Sequence, residues 1–161
     1  MKRINTLALL LVLGLCYAPA QAQLKGFGIG PYLESGVPVG SFSDAYNTGW
    51  GAGIGAIINL PAKLAVTGSV GYMQFSGESN IPDLKAIPVR FGLIFRSLPI
   101  IYLKAEAGAA NYTGDGADGS AFILAPGVGV RLLKFDFQAK YEAWMKSGTN
   151  GFFGLKAGYY F

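Results

Sequence analysis

Residues 135–143 read Phe135-Asp136-Phe137-Gln138-Ala139-Lys140-Tyr141-Glu142-Ala143. Every odd position is apolar or aromatic and every even position is polar. Successive side chains of a β-strand point to opposite faces, so this stretch predicts a strand with one greasy side and one charged side.

The alternation continues outward from there. Toward the C-terminus, Phe153, Leu155, Ala157, Tyr159 and Phe161 face one way, and Gly154, Lys156, Gly158 and Tyr160 the other. Upstream, Ile87, Val89, Phe91, Leu93 and Phe95 alternate with Pro88, Arg90, Gly92, Ile94 and Arg96. Leu103, Ala105, Ala107 and Ala109 likewise oppose Lys104, Glu106 and Gly108. Residues 123–132, 64–73, 50–59 and 27–34 fit the same period with less contrast. The reading is eight strands of roughly ten residues, the length a tilted strand needs to cross a bilayer.

The connections alternate as well. Short ones are expected at 60–63, 97–99 and around Leu133-Lys134, and longer ones at 35–49, 77–85, 112–121 and 145–150. Outer-membrane barrels have short periplasmic turns, longer external loops and an even strand number. The expected fold class is therefore all-β: an eight-stranded antiparallel up-and-down transmembrane β-barrel, with strand eight closing on strand one and both ends of the barrel chain on the periplasmic side.

The N-terminus has its own pattern. Lys2 and Arg3 precede the short apolar run Leu7–Leu15, and Ala18-Pro19-Ala20-Gln21-Ala22 follows. A basic start, a short apolar middle and an A-x-A ending predict a secretory signal peptide over residues 1–22, cleaved after Ala22, with the barrel over 23–161. A retained membrane anchor is the alternative, though the apolar run is short for one. Lipidation at Cys16 is a third reading, but Leu15 is not the small residue that such processing sites carry before the cysteine.

Composition narrows the chemistry. The 161-residue chain is 52% hydrophobic and 14% charged, with 24 glycines. Removing Lys2 and Arg3 from its 13 basic residues leaves eleven against nine acidic ones, so the mature chain is only slightly basic. Those basic residues are scattered singly, and nucleic acid is not an expected partner. There is no histidine, and the one cysteine lies in the leader. Ser-His and Cys-His nucleophilic catalysis and His/Cys metal sites are thereby excluded. No enzymatic activity and no cofactor are expected. Asp115 and Asp118 in TGDGADGS sit as in an oxygen-ligand cation loop, but the later glutamate of a calcium loop is missing, and a solvated loop is the plainer reading. Gly51-Ala52-Gly53 is a GxG fragment that no helix follows, which removes a phosphate-binding reading.

The apolar face is large on every strand, with Phe27, Trp50, Tyr72, Phe95, Phe135, Phe153 and Phe161 near its ends. That placement suits the interfacial girdles of a membrane barrel. A soluble lipocalin-like binding barrel would turn this face inward, leaving glycine and charge outside. With the apolar face outward, Glu34, Arg90, Arg96, Lys104, Glu106, Arg131, Asp136, Lys140, Glu142 and Lys156 form a candidate interior charge network. Unpaired charges in a low-dielectric interior are costly, so these are expected to pair. The turn at Leu133-Lys134 sets Leu132 opposite Phe135 and Arg131 opposite Asp136, while Lys140 looks to Glu142 or to a carboxylate on a neighbouring strand. Gly28, Gly30, Gly51, Gly53 and Gly55 give strands one and two a smooth inner wall, with room for long side chains crossing from the far side.

Three segments carry a family resemblance: GFFGLKAGYYF at 151–161, GVPVGSFSDAYNTGWGAGIGA at 36–56 and FDFQAKYEAW at 135–144. Over its mature length the chain resembles the small eight-stranded outer-membrane barrels, OmpX-like or OmpA transmembrane-domain-like, grouped broadly as porin-family proteins. Unlike the larger OmpA-type proteins, it is expected to lack a peptidoglycan-binding domain after the barrel. The resemblance implies that Phe161 and Tyr159 belong to the terminal signal read by the barrel-insertion machinery. It also implies a monomer among lipid and lipopolysaccharide in a Gram-negative outer membrane. The expected role is structural or surface-interacting, with a charge-filled interior and an unknown loop partner. The alternative is a narrow, porin-like passive channel for ions or small solutes.

Overall fold

The computed structural model describes residues 26–114 and 118–161. The signal-peptide reading of 1–22 and the Asp115 part of the cation-loop reading lie outside the described residues. Eight strands follow in order: β1 Phe27–Val39, β2 Tyr46–Asn59, β3 Leu64–Gly77, β4 Leu84–Phe95, β5 Ile101–Tyr112, β6 Ser120–Leu132, β7 Phe135–Met145 and β8 Thr149–Tyr159. Each pairs antiparallel with the next, and β8 returns to β1, closing the barrel. Closure leaves no strand edge, which is what lets a sheet sit in hydrocarbon without orphaned backbone groups.

The closing seam runs from Tyr32 opposite Gly158 to Val39 opposite Gly151. Beyond β8, the Phe161 amide donates to the Ile29 carbonyl at 3.1 Å and the Ile29 amide to the Phe161 carbonyl at 3.2 Å, so the last residue extends the seam.

One end of the barrel carries tight connections. Ala62 and Lys63 (φ 60° and 63°) turn β2 into β3, and Leu133 (φ 57°) starts the turn between β6 and β7. The other end carries the loops 40–45, 78–83 and 146–148, with Thr113, Gly114, Asp118 and Gly119 between β5 and β6; the first begins with a 3-10 turn, Gly40–Phe42. These loops are shorter than the sequence reading had them. β1 continues past Glu34 to Val39, and β3 past Met73 to Gly77. The reason is physical. In these extensions the inward residues are themselves apolar or small, so the period-two contrast fades in β1 and changes sides in β3, where Gln74 and Ser76 are the outward residues, while the ladder continues.

The outward face is predominantly apolar. Trp50, Leu33 and Phe91 are 70%, 68% and 67% exposed, and Phe27, Tyr72, Phe95, Phe135, Phe153 and Phe161 are exposed with them. Phe135, Tyr159 and Phe161 cluster near the turn end, and Tyr141 packs against Phe153 nearer the loops. So much contiguous apolar surface is an aggregation hazard in water and the normal exterior of a transmembrane barrel in lipid.

The interior corrects one expectation. It is not only glycine and charge. Phe42, Met73, Phe75, Leu84, Ile123, Trp144 and Phe152 form a buried apolar cluster, to which Tyr46 and Tyr112 add. Phe75 meets Phe42, Trp144 and Phe152 edge-on at 5.0–5.8 Å between ring centres. A smaller cluster of Ile57, Ala65, Ile94 and Tyr102, with Tyr160, fills the region toward the turns. Most of the charged groups lie between these two, while Arg131 and Asp136 touch Tyr160 and Tyr102 of the smaller cluster.

Candidate functional site: the charged interior

The side chains that share the interior do so because their strands alternate. On β7, Asp136, Gln138, Lys140, Glu142 and Trp144 all point inward and are buried, while Phe135, Phe137, Ala139 and Tyr141 point outward.

At the centre is a four-membered ion-pair square. Arg90 of β4 donates from Nη2 to Glu34 Oε1 at 3.1 Å, and from Nε and Nη2 to Glu142 Oε1 at 3.1 and 2.8 Å. Lys140 Nζ lies 3.0 Å from Glu34 Oε2 and 2.6 Å from Glu142 Oε2. All four side chains have zero solvent exposure. The arrangement crosses the barrel, joining β1 to β4 and β7. The glycines make it possible: a Cβ at Gly51 would press on Glu34, and one at Gly154 on the Lys140 stem.

A second group joins β5 to β7. Lys104 Nζ sits 2.9 Å from Glu106 Oε1, and Gln138 Nε2 donates to Glu106 Oε2 at 3.0 Å. A third lies toward the turns. Arg131 stands opposite Asp136 in the β6–β7 register and donates to Asp136 Oδ2 from Nε at 2.9 Å and Nη2 at 2.6 Å. Tyr102 donates to Asp136 Oδ1 at 2.7 Å, and the Arg131 guanidinium lies 4.9 Å from the centre of the Tyr160 ring.

Two of the basic residues stand apart. Arg96 lies past the end of β4, half-buried, and donates to Asn59 Oδ1; it makes no ion pair among the described residues. Lys156 is buried, and its Nζ lies 3.5 Å above the centre of the Tyr32 ring. Tyr159 faces outward beside Phe135 and Phe161, on the side its alternation predicts.

Sequence reasoning missed Tyr32, Tyr102 and Trp144 as parts of this network. Trp144 Nε1 donates to Glu142 Oε1 at 2.6 Å and so ties the aromatic cluster to the square. The signal was parity: Tyr32 precedes Glu34 by two positions, and Trp144 follows Glu142 by two. Burying so many charges is costly, and pairing repays it only when each lone pair and proton finds a partner. The arrangement can therefore brace opposite walls of the barrel; it presents no activated nucleophile among the described residues.

No family model matches the sequence, and no curated protein does. Solved structures share the architecture. A de novo designed transmembrane β-barrel superposes with a TM-score of 0.57 at 17% identity, over 83% of this chain and 95% of that one. Ail, the attachment invasion locus protein of Yersinia pestis, gives 0.53 at 21% identity, over 84% and 97%. The N-terminal β-barrel domain of Pseudomonas aeruginosa OprF gives 0.54 at 14%, over 83% and 97%. At such identities the likeness is one of fold. The chain has the fold of the small eight-stranded transmembrane barrels found in outer membranes.

Proposed function

We propose that this protein is a closed, monomeric barrel of a Gram-negative outer membrane, with a structural and surface-contacting role rather than a conductive or enzymatic one. One observation carries the reading. Two sets of fully buried side chains fill the interior, the rings of Phe42, Phe75, Trp144 and Phe152 and the square of Glu34, Arg90, Lys140 and Glu142, and both support a closed barrel. The glycines that favour a channel in the sequence are covered by aromatic side chains, the Tyr32 hydroxyl lying against Gly53 and Gly71 and the Tyr160 hydroxyl against Gly55, which supports the closed reading.

In this reading the loop end faces outside with Asp44, Glu78, Asp83 and Asp118, and the turn end faces the periplasm with Lys63 and Lys134. Lipid and lipopolysaccharide surround the apolar wall. The barrel-insertion machinery reads Phe161 and Tyr159. A barrel that does not conduct acts through its rim, and Ail, by its name, is an attachment protein; surface contact is the role consistent with both. Proteoliposome swelling tests it. Vesicles carrying the purified protein should swell in small sugars or amino acids no faster than empty vesicles. Solute-size-dependent swelling would favour the channel instead.

A further inference from the structure

The inward-facing charges do not balance. Five cations, the buried Arg90, Lys104, Lys140 and Lys156 and the part-buried Arg131, share the interior with four carboxylates, Glu34, Glu106, Asp136 and Glu142. The carboxylates are fully engaged. Glu34 takes Arg90 on one oxygen and Lys140 on the other. Glu142 takes Arg90 and Trp144 on Oε1, with Lys140 against Oε2. Glu106 takes Lys104 and Gln138. Asp136 takes Tyr102 and Arg131. Lys156 is the cation left over: it is 5% exposed, and its Nζ has no hydrogen-bond partner among the described residues.

The other buried polar atoms without partners are mostly able to donate. They are Tyr32 Oη, Thr67 Oγ1 and Ser69 Oγ, hydroxyls that can donate as well as accept, and the pure donor Arg90 Nη1; Glu142 Oε2, which only accepts, already faces the Lys140 ammonium. These donors form a belt. Lys156 on β8 lies over the Tyr32 ring, and the Tyr32 hydroxyl crosses the glycine floor of β2 to reach Gly71 on β3. Two residues along β3 is Ser69, which stands opposite Arg90 of β4. The Tyr32 ring face gives Lys156 a partial electrostatic partner but no acceptor. A buried ammonium needs both.

We infer that the interior holds one small monovalent anion of the halide class, bound by Lys156 with the hydroxyls of Tyr32 and Ser69, which completes the charge balance of the barrel. One excess positive charge calls for one negative charge, and the packed walls call for a compact ion. An ion bound only in the folded barrel stabilises it in proportion to its free concentration. The inference goes beyond the closed-barrel reading and stands or falls separately from it, since its readout is stability rather than permeation.

The test is thermal unfolding of the assembled protein in detergent micelles. Sodium chloride replaces sodium gluconate at constant ionic strength, gluconate being too bulky to enter. The unfolding midpoint of the native protein should rise with chloride and level off, while that of Lys156→Met should not move. An equal response in both proteins, or none in either, would overturn the inference and leave Lys156 hydrated by water alone. If Lys156→Met does not assemble, crystals of the native protein grown in bromide decide the matter. An anomalous peak within hydrogen-bond distance of Lys156 Nζ supports the site, and its absence refutes it.

Discussion

The indole of Trp144 donates to Glu142 Oε1 at 2.6 Å, and this contact joins the aromatic cluster of the barrel to its ion-pair square. Trp144 is held there by Phe75 and Phe152, both edge-on to it. Trp144→Phe keeps most of that packing and removes the hydrogen bond. Bonds to charged groups contribute about 1.5–3 kcal/mol, so a loss in that range is expected. Trp144→Ala also opens a void between the rings and should cost about 3–5 kcal/mol. Urea unfolding in micelles, followed by circular dichroism, measures both. Equal losses for the two variants would mean that the ring contributes nothing beyond the hydrogen bond, and no loss for Trp144→Phe would mean that the hydrogen bond itself contributes nothing.

Arg131 and Asp136 provide a cycle that separates pairing from burial. Removing one partner of a fully buried pair costs about 3–5 kcal/mol, because the other charge is stranded. Here the Arg131 side chain is 21% exposed, so Asp136→Ala should cost less, about 1–3 kcal/mol. The apolar double replacement Arg131→Met with Asp136→Leu should cost less than Asp136→Ala alone. Glu142→Ala strands Arg90 and Lys140 with no exposure and should exceed both. If Asp136→Ala proves as costly as Glu142→Ala, the difference in burial does not govern these pairs.

The register of β6 against β7 was legible in the sequence because two features coincide there. The connection at Leu133-Lys134 is too short to slip, and FDFQAKYEA alternates without interruption, so one register satisfies both. Strand number and closure followed from the same alternation and from the parity of connection lengths. The outer thirds of β1 and β3 were not legible. In β3 the inward positions become the apolar Met73 and Phe75 while Gln74 and Ser76 take the outward side, so the apolar parity switches faces; in β1 the inward Gly36 and Pro38 offer no polar contrast to Val37 and Val39. Nor could the sequence match Arg90 with Glu34 and Glu142. That choice depends on the stagger of β1, β4 and β7 around the barrel, which no single strand encodes. The isolation of Lys156 has the same origin: it stands directly opposite Glu34 in the ladder, yet Glu34 is taken from across the bore.

Two glycines separate close packing from mere flexibility. A Cβ at Gly53 would collide with the Tyr32 hydroxyl and the backbone of Val70, whereas one at Gly148 would meet nothing. Gly53→Ala should destabilise the barrel by about 1–3 kcal/mol, as overpacking does. Gly148→Ala should stay within about 0.5 kcal/mol of the native protein. Both are read from the temperature at which the folded band converts to the unfolded one on detergent gels. Indifference at Gly53 would mean that Tyr32 does not fill the smooth wall.

Phe161 contributes two backbone hydrogen bonds to the β1 seam and an outward ring beside Tyr159. Deleting it should lower the yield of heat-modifiable protein in the outer-membrane fraction, and Phe161→Asp, which keeps the backbone bonds, should lower it as well. Normal yield for Phe161→Asp with a loss on deletion would assign the role to the seam and not to the aromatic ring.

The closed interior is tested most directly by single-channel recording in planar bilayers, with the native protein beside the double variant Phe75→Ala, Trp144→Ala. Both rings are fully buried in the aromatic cluster, one of the two closures of the barrel. The native protein should give a baseline without conductance steps, and the double variant should show at most brief, small openings, because the square of Glu34, Arg90, Lys140 and Glu142 still blocks the bore. Reproducible, long-lived conductance steps from the native protein, growing with salt concentration, would contradict a closed barrel.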